Sequence, residues 1–225
     1  TDDARQRWTE GDLEQWLSGR RSTPKGTDAG KRASRHIDFA GKEFWQVRPL
    51  AAELANHVSE AVAFIESGTL DKWMRRALTD EDRANELDEA KASLKASGKA
   101  TNYEDQLVTR TCIVLDPAGP IRYRGVSVMP AGIANMLVDA VITNKPTQIL
   151  SEIIASQLVS FWVDMQKDIK ADLLPLGQQY DRMRAMIEKT SYGNGVERVL
   201  YELNTGLPCL SPMLRTQYVT NAKSM

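Results

Sequence analysis

The 225-residue sequence contains little of the chemistry on which common catalytic and metal sites depend. It has two histidines and two cysteines, and Cys112 and Cys209 lie far apart with no Cys-x-x-Cys pair. This spacing does not predict a disulfide framework or a zinc module, and it suits a reducing compartment. A single disulfide bridge and a metal site built from carboxylates both stay open. Glycine-rich phosphate loops, Gly-x-Ser-x-Gly elbows and His-Glu-x-x-His motifs are also absent, so we predict no catalytic residue, no metal site and no cofactor.

Long uncharged runs and an excess of charge of one sign are missing too. Residues 153–163 form the longest uncharged run of the most apolar segment, and this run is far shorter than the roughly 20 residues of a membrane span. The net charge is -1, so bulk electrostatics give no reason to seek nucleic acid or anionic lipid. The first residues are polar and include no signal-peptide pattern or initiator methionine. We expect a cytoplasmic protein without a membrane span that is a piece of something larger.

The sequence does contain strong helical periodicity. Hydrophobic residues make up 42% of the chain, which is enough for a sizeable core. In residues 147–169 the apolar positions recur mostly at three and four residue steps, which predicts one long helix with a broad apolar face. We expect this helix to be the centre of the fold. Its apolar positions are Ile149, Leu150, Ile153, Ile154, Leu158, Phe161, Trp162, Met165 and Ile169.

The remaining segments are predicted to be shorter helices that pack around this axis. One begins near Pro49 and ends at Gly68, and a charged one follows Thr79 with Ala84, Leu87 and Leu94 on a thin apolar stripe. Residues 101–115 fit both a helix and a strand, and we favour a helix. Residues 121–128 fit an extended ribbon. The predicted fold is therefore mostly α, a multi-helix globular bundle around a long central helix, with the option of a short β ribbon near 107–128.

Composition divides the chain into three regions. Residues 1–18 are a short tryptophan-bearing N-terminal element, residues 19–35 are a basic flexible linker, and residues 36–225 are the helical domain. Two tryptophans are too large for so short a segment to bury alone, so they are candidates for a partner-binding anchor. The anchor residues are Trp8, Leu13, Trp16 and Leu17. The basic residues of the linker are Arg20, Arg21, Lys25, Lys31, Arg32 and Arg35, set against the single acid Asp28.

A second candidate binding segment is Arg122-Tyr123-Arg124. An aromatic ring between two guanidinium groups can stack on a base while the arginines bind phosphate. The alternative is that these arginines pair with acidic side chains of the protein, for which the acidic run 80–89 offers candidates. Cys112 lies in an apolar run and His57 on the apolar side of its predicted helix, so we interpret both as structural residues.

These observations favour a non-enzymatic helical interaction or regulatory module that binds a protein partner within a larger bacterial protein or assembly. One alternative is an enzyme with a helical fold and no recognisable motif. The other is a protein that binds nucleic acid, or another phosphate backbone, through the basic linker. The sequence does not indicate the oligomeric state, the partner or a substrate.

If the tryptophan-bearing element is the anchor, deletion of residues 1–35 will remove the associations of the full chain, because the two aromatic side chains that fill the partner's pocket are lost. Native mass spectrometry or a pull-down measures these associations. The docking hypothesis fails if every association survives the deletion.

Overall fold

The structure is a computed structural model, and it describes residues 31–96, 102–167, 169–189, 191, 193–214 and 217–220. Within these ranges the protein is helical apart from two small antiparallel strand pairs. The predicted mostly α globular fold is confirmed. None of the helices in the described ranges combines the length and the apolar character that crossing a bilayer requires.

The first element of the described chain is a two-stranded ribbon, which the sequence reasoning missed. Strand β1 (Ile37–Phe39) pairs with strand β2 (Lys42–Phe44) through a turn at Ala40 and Gly41. Both turn residues have positive φ angles, 47° and 72°, as the tight type I′ turn of a hairpin requires. The signal in the sequence was the alternation of apolar and polar residues on either side of this short Ala-Gly turn.

A second ribbon lies where an extended segment was predicted. Strand β3 (Ile121–Tyr123) pairs with strand β4 (Val126–Val128) through Arg124 and Gly125, whose φ angles are 48° and 79°. The two ribbons therefore use the same turn chemistry, in which glycine supplies one of the two left-handed residues.

Four helices follow the first ribbon. The helix predicted from Pro49 is in fact two helices, because the backbone leaves the helical region at His57 (φ -129°, ψ 60°). Gly68 ends the second of them with φ 72°, as predicted. The apolar stripe predicted for the charged helix is buried. These helices are α1 (Val47–Asn56), α2 (Val58–Glu66), α3 (Thr69–Trp73), which continues into a π-helical turn (Met74–Leu78), and α4 (Glu81–Ala96).

The next helix, α5 (Tyr103–Leu115), is the most buried element of the described chain. It settles the ambiguous segment as helix, in agreement with our prediction, and nine of its thirteen residues are buried. Leu107 and Cys112 belong to the hydrophobic cluster formed with α1 to α4, whereas Ile113 belongs to the cluster formed by the later helices. Helix α5 is therefore shared by both parts of the core.

The prediction of one long helix over 147–169 is wrong. The segment forms two helices, because Gln157 adopts a left-handed conformation with φ 54° and its backbone N-H bonds to Ile154. Apolar residues on both sides of the break face the same hydrophobic cluster, which is why the periodicity continues through it. The helices of this half are α6 (Pro130–Ile142), α7 (Gln148–Ala155), α8 (Leu158–Asp164), α9 (Lys170–Ile187) and α10 (Val196–Leu203), followed by a 3-10 turn (Pro212–Leu214).

The last five residues of the predicted linker, 31–35, contact the helical body. Ala33 is 4% exposed, and its backbone N-H bonds to the carbonyl of Trp45. The carbonyl of Arg35 accepts a hydrogen bond from the Trp73 indole at 2.7 Å. Deletion of residues 1–35 would therefore also remove contacts of the body, and the N-terminal element is tested cleanly by deletion of residues 1–30.

A buried carboxylate fixes the chain at the end of α5. Asp116 is 6% exposed and forms ion pairs with Arg48 at 3.2 Å and with Arg122 at 2.9 Å. The following turn brings Gly119 against this carboxylate, and the Gly119 carbonyl accepts a hydrogen bond from the Trp162 indole. This turn thus connects the end of α5 to α1, β3 and α8.

Substitution of Gly119 by alanine will lower the free energy of unfolding by about 1–3 kcal/mol, because a Cβ atom there would lie 2.1 Å from the Oδ2 atom of Asp116. Urea unfolding measures the change. Gly206→Ala is the matched control, because a Cβ atom at Gly206 has no heavy atom within 4 Å, and it should change stability by less than about 0.5 kcal/mol. Equal effects of the two substitutions would contradict the proposed clash.

Candidate functional site

A cleft of about 550 Å³ lies at the C-terminal end of α5, beside the hydrophobic cluster that α5 forms with α1 to α4. Its floor is apolar and comes from α1, the π-helical turn and α5. Met165 and Ile169 border it from the other half of the molecule, and Ile169 is 50% exposed. The floor residues are Val47, Leu78, Val114 and Leu115.

The rim of the cleft is charged and held in place by internal contacts. Arg83 bonds to the Leu115 carbonyl at 2.8 Å and pairs with Asp80 at 3.2 Å. Lys167 pairs with Glu86, and this hydrogen bond is the main reason that the pKa of Lys167 is raised. Within the described chain, the charged side chains that line the opening are four basic and two acidic residues, and both acidic residues are paired with basic ones.

Two further basic residues of the rim come from the end of the predicted linker and from the first turn of α1. Lys31 is one of the basic residues of the predicted linker, and its ammonium group donates a hydrogen bond to the Thr79 carbonyl at 2.8 Å. Arg48, at the start of α1, pairs with Asp116. The end of the predicted linker thus lies at the edge of the cleft.

The structure brings the predicted segment Arg122-Tyr123-Arg124 against carboxylates of the protein. Arg122 pairs with Asp116, and its side chain is 14% exposed. Arg124 pairs with Asp105 at 3.4 Å and with Glu152 at 2.9 Å. The arginines are therefore engaged by acidic side chains, although these belong to α5, the turn after it and α7 rather than to the run 80–89.

Tyr123 and its neighbours form a hydrogen-bond network around Glu152. The Tyr123 hydroxyl donates to Glu152 Oε2 at 2.9 Å, and burial together with this carboxylate raises the pKa of the tyrosine. Arg124 and Asn102 donate to the same oxygen, and Gln148 donates to Oε1 at 2.8 Å. Glu152 on α7 therefore joins the start of α5 to the β3–β4 ribbon.

Cys112 and His57 occupy different environments. Cys112 is fully buried, and its thiol donates to the Ala51 carbonyl at 3.1 Å. Burial raises the pKa of Cys112 to about 12, so the thiol is protonated at neutral pH. The His57 side chain is 41% exposed, more than its predicted apolar position implied, and it lies 3.2 Å from Glu53. The two side chains thus interact with separate partners.

The remaining predicted site residues divide between the described and the undescribed parts of the chain. Arg32 lies 4.7 Å from the centroid of the Trp45 ring, and Arg35 contributes its carbonyl to the bond with Trp73. Seven predicted residues lie outside the described residues: Trp8, Leu13, Trp16, Leu17, Arg20, Arg21 and Lys25.

Sequence reasoning missed a cluster of possible metal ligands, the exposed side chains of His36, Asp38 and Glu43 on the β1–β2 ribbon. The spacing His-x-Asp-x4-Glu is not a known ligand motif, so recognition of the hairpin was the one signal that could have found it. Comparison of the chain with protein-family models, curated proteins and solved structures gave no match.

Removal of the negative charge by Glu152→Gln will lower the free energy of unfolding at pH 7 by about 1–2 kcal/mol, because charge-assisted hydrogen bonds are lost. Partial burial raises the pKa of Glu152, but hydrogen bonds from Gln148, Tyr123 and Arg124 outweigh this effect and lower it. A lowered pKa means that the stabilisation is complete above the pKa of the unfolded chain and is lost as the pH falls through the folded value. The difference between the wild type and the variant should therefore shrink between pH 5 and pH 3.

Urea unfolding across this pH range measures the effect. Glu188→Gln is the control, since Glu188 forms an exposed ion pair with Arg184 one turn away and should contribute less than about 0.5 kcal/mol. A stability difference for Glu152→Gln that is independent of pH would contradict the role assigned to its charge.

Proposed function

We propose that this protein is a non-catalytic interaction module that binds a segment of a protein partner in the cleft at the end of α5. The observation that carries the proposal is the construction of the cleft: an apolar floor surrounded by a rim of paired charges. Protein interfaces have this anatomy, with a hydrophobic centre that loses its water and a polar periphery. We further propose that the module works in the bacterial cytoplasm as part of a larger protein or assembly.

The arrangement of reactive side chains supports an interaction role over catalysis. The Cys112 thiol is protonated and bonded to a backbone carbonyl, and His57 is paired with Glu53. Arg122 and Arg124 are engaged by carboxylates. An enzyme requires a nucleophile or base beside groups that bind the reacting atoms, in a pocket that brings them together. These four side chains instead make contacts that hold the fold together.

The charges of the rim also favour a peptide over a phosphate backbone. Phosphate binding draws on lysines and arginines that are free to replace counterions. Around this cleft Arg48, Arg83 and Lys167 each have a carboxylate partner, and the fourth basic residue, Lys31, is bonded to the Thr79 carbonyl. The apolar side chains that border the cleft and are still exposed, chiefly Ile169, are then the main source of affinity, because the floor residues are already buried in the fold and removal of exposed apolar surface from water drives association.

The proposal is tested at the exposed edge of the cleft. Ile169→Glu places a charge beside the apolar floor, and we expect it to weaken partner binding at least tenfold, which corresponds to about 1.4 kcal/mol. A pull-down with the immobilised full chain, followed by titration of the captured partner, measures the change.

Ile142→Glu is the matched control, because Ile142 is a similarly exposed isoleucine, 63% exposed, at the end of α6 and outside the cleft lining. We expect this variant to bind the partner like the wild type. The proposal is wrong if Ile169→Glu leaves binding unchanged, or if both substitutions reduce it equally.

A further inference from the structure

We propose that His36, Asp38 and Glu43 on the β1–β2 ribbon bind a divalent transition-metal ion of the Zn²⁺ class. The three side chains are exposed, and their donor atoms all lie within 4.8 Å of one another. This site is separate from the cleft, and the proposal does not depend on partner binding there.

The distances are close to those that a metal ion requires. The Nε2 atom of His36 lies 3.7 Å from Asp38 Oδ1 and 4.0 Å from Glu43 Oε1. Donors bound to tetrahedral zinc at about 2.0–2.2 Å are separated by roughly 3.3–3.6 Å. Small side-chain rotations therefore bring the three atoms to the separations of one coordination sphere, with a fourth position left for water.

The ribbon places two negative charges directly opposite each other. Asp38 and Glu43 are register partners in the antiparallel pair, and like charges in this arrangement destabilise a sheet. The neighbouring cation does not relieve the repulsion, because Lys42 pairs with Glu53 at 2.8 Å. Within the described chain, His36 is the one basic group within ion-pair distance of either carboxylate. Sites that break a local stability rule without compensation are often functional, and a bound cation would supply the compensation here.

The scaffold beneath the three ligands is well anchored. Ile37, Phe39 and Phe44 alternate with the ligand positions and are buried in the first hydrophobic cluster. The ring of His36 lies 5.3 Å from the ring of Trp45, which restricts its orientation. One imidazole nitrogen with two carboxylate oxygens is a donor set that suits zinc.

Isothermal titration of the full chain with Zn²⁺ alone, without a polyhistidine tag, tests the proposal. We expect one bound ion per chain. The variant His36→Asn lacks one of the three ligands and should bind Zn²⁺ at least tenfold more weakly. His57→Asn is the matched control, because His57 is the other histidine of the sequence and also lies beside two carboxylates. This substitution should leave Zn²⁺ binding unchanged. No binding to the wild type, or equal loss in both variants, would overturn the assignment.

Thermal unfolding provides a second readout that a purely structural cluster would not produce. The double substitution Asp38→Asn with Glu43→Gln removes the cross-strand repulsion, so it should raise the Tm in the absence of metal. Zn²⁺ should raise the Tm of the wild type by mass action and leave that of the double variant unchanged. A Tm that responds equally to Zn²⁺ in both proteins would overturn the proposal.

Discussion

The burial of α5 is the constraint on which the rest of the structure depends. A helix inside a protein must satisfy its polar groups internally, and α5 does so through contacts with several neighbours. Thr109 donates to the Arg122 carbonyl on β3, Cys112 donates to Ala51 on α1, and the final carbonyl of Leu115 accepts from Arg83 on α4. These bonds draw the flanking elements around the helix. The cleft opens where α5 ends, so its position follows from the same constraint.

Much of the fold could be predicted from periodicity and turn chemistry. The bounds of α6 and α10, the stop at Gly68 and the buried stripe of α4 all follow from local signals. Two features could not be predicted in this way. The break at Gln157 leaves the apolar pattern intact, because both flanking helices face one cluster. The central position of α5 depends on packing from both sides, whereas its own sequence carries polar and ambiguous signals.

The candidate sites were harder to predict from the sequence than the helices, because they are assembled from distant parts of the chain. Pairing of Arg122 and Arg124 with acidic side chains is the alternative interpretation of their segment, but the partners Asp116, Asp105 and Glu152 lie outside the run 80–89 because they are set by the tertiary fold. The cleft joins residues from the end of the linker to the segment that follows α8. The role of Trp8 and Trp16 stays a prediction, since both lie outside the described residues.

The position of Lys31 also fixes where the chain reaches the cleft. Its ammonium group is bonded to Thr79 beside the opening, and Ala33 is buried directly behind it. The chain upstream of Lys31 is therefore covalently joined to the body at the edge of the cleft. A ligand sequence attached at this point by a short flexible tether would meet the cleft at an effective concentration in the millimolar range.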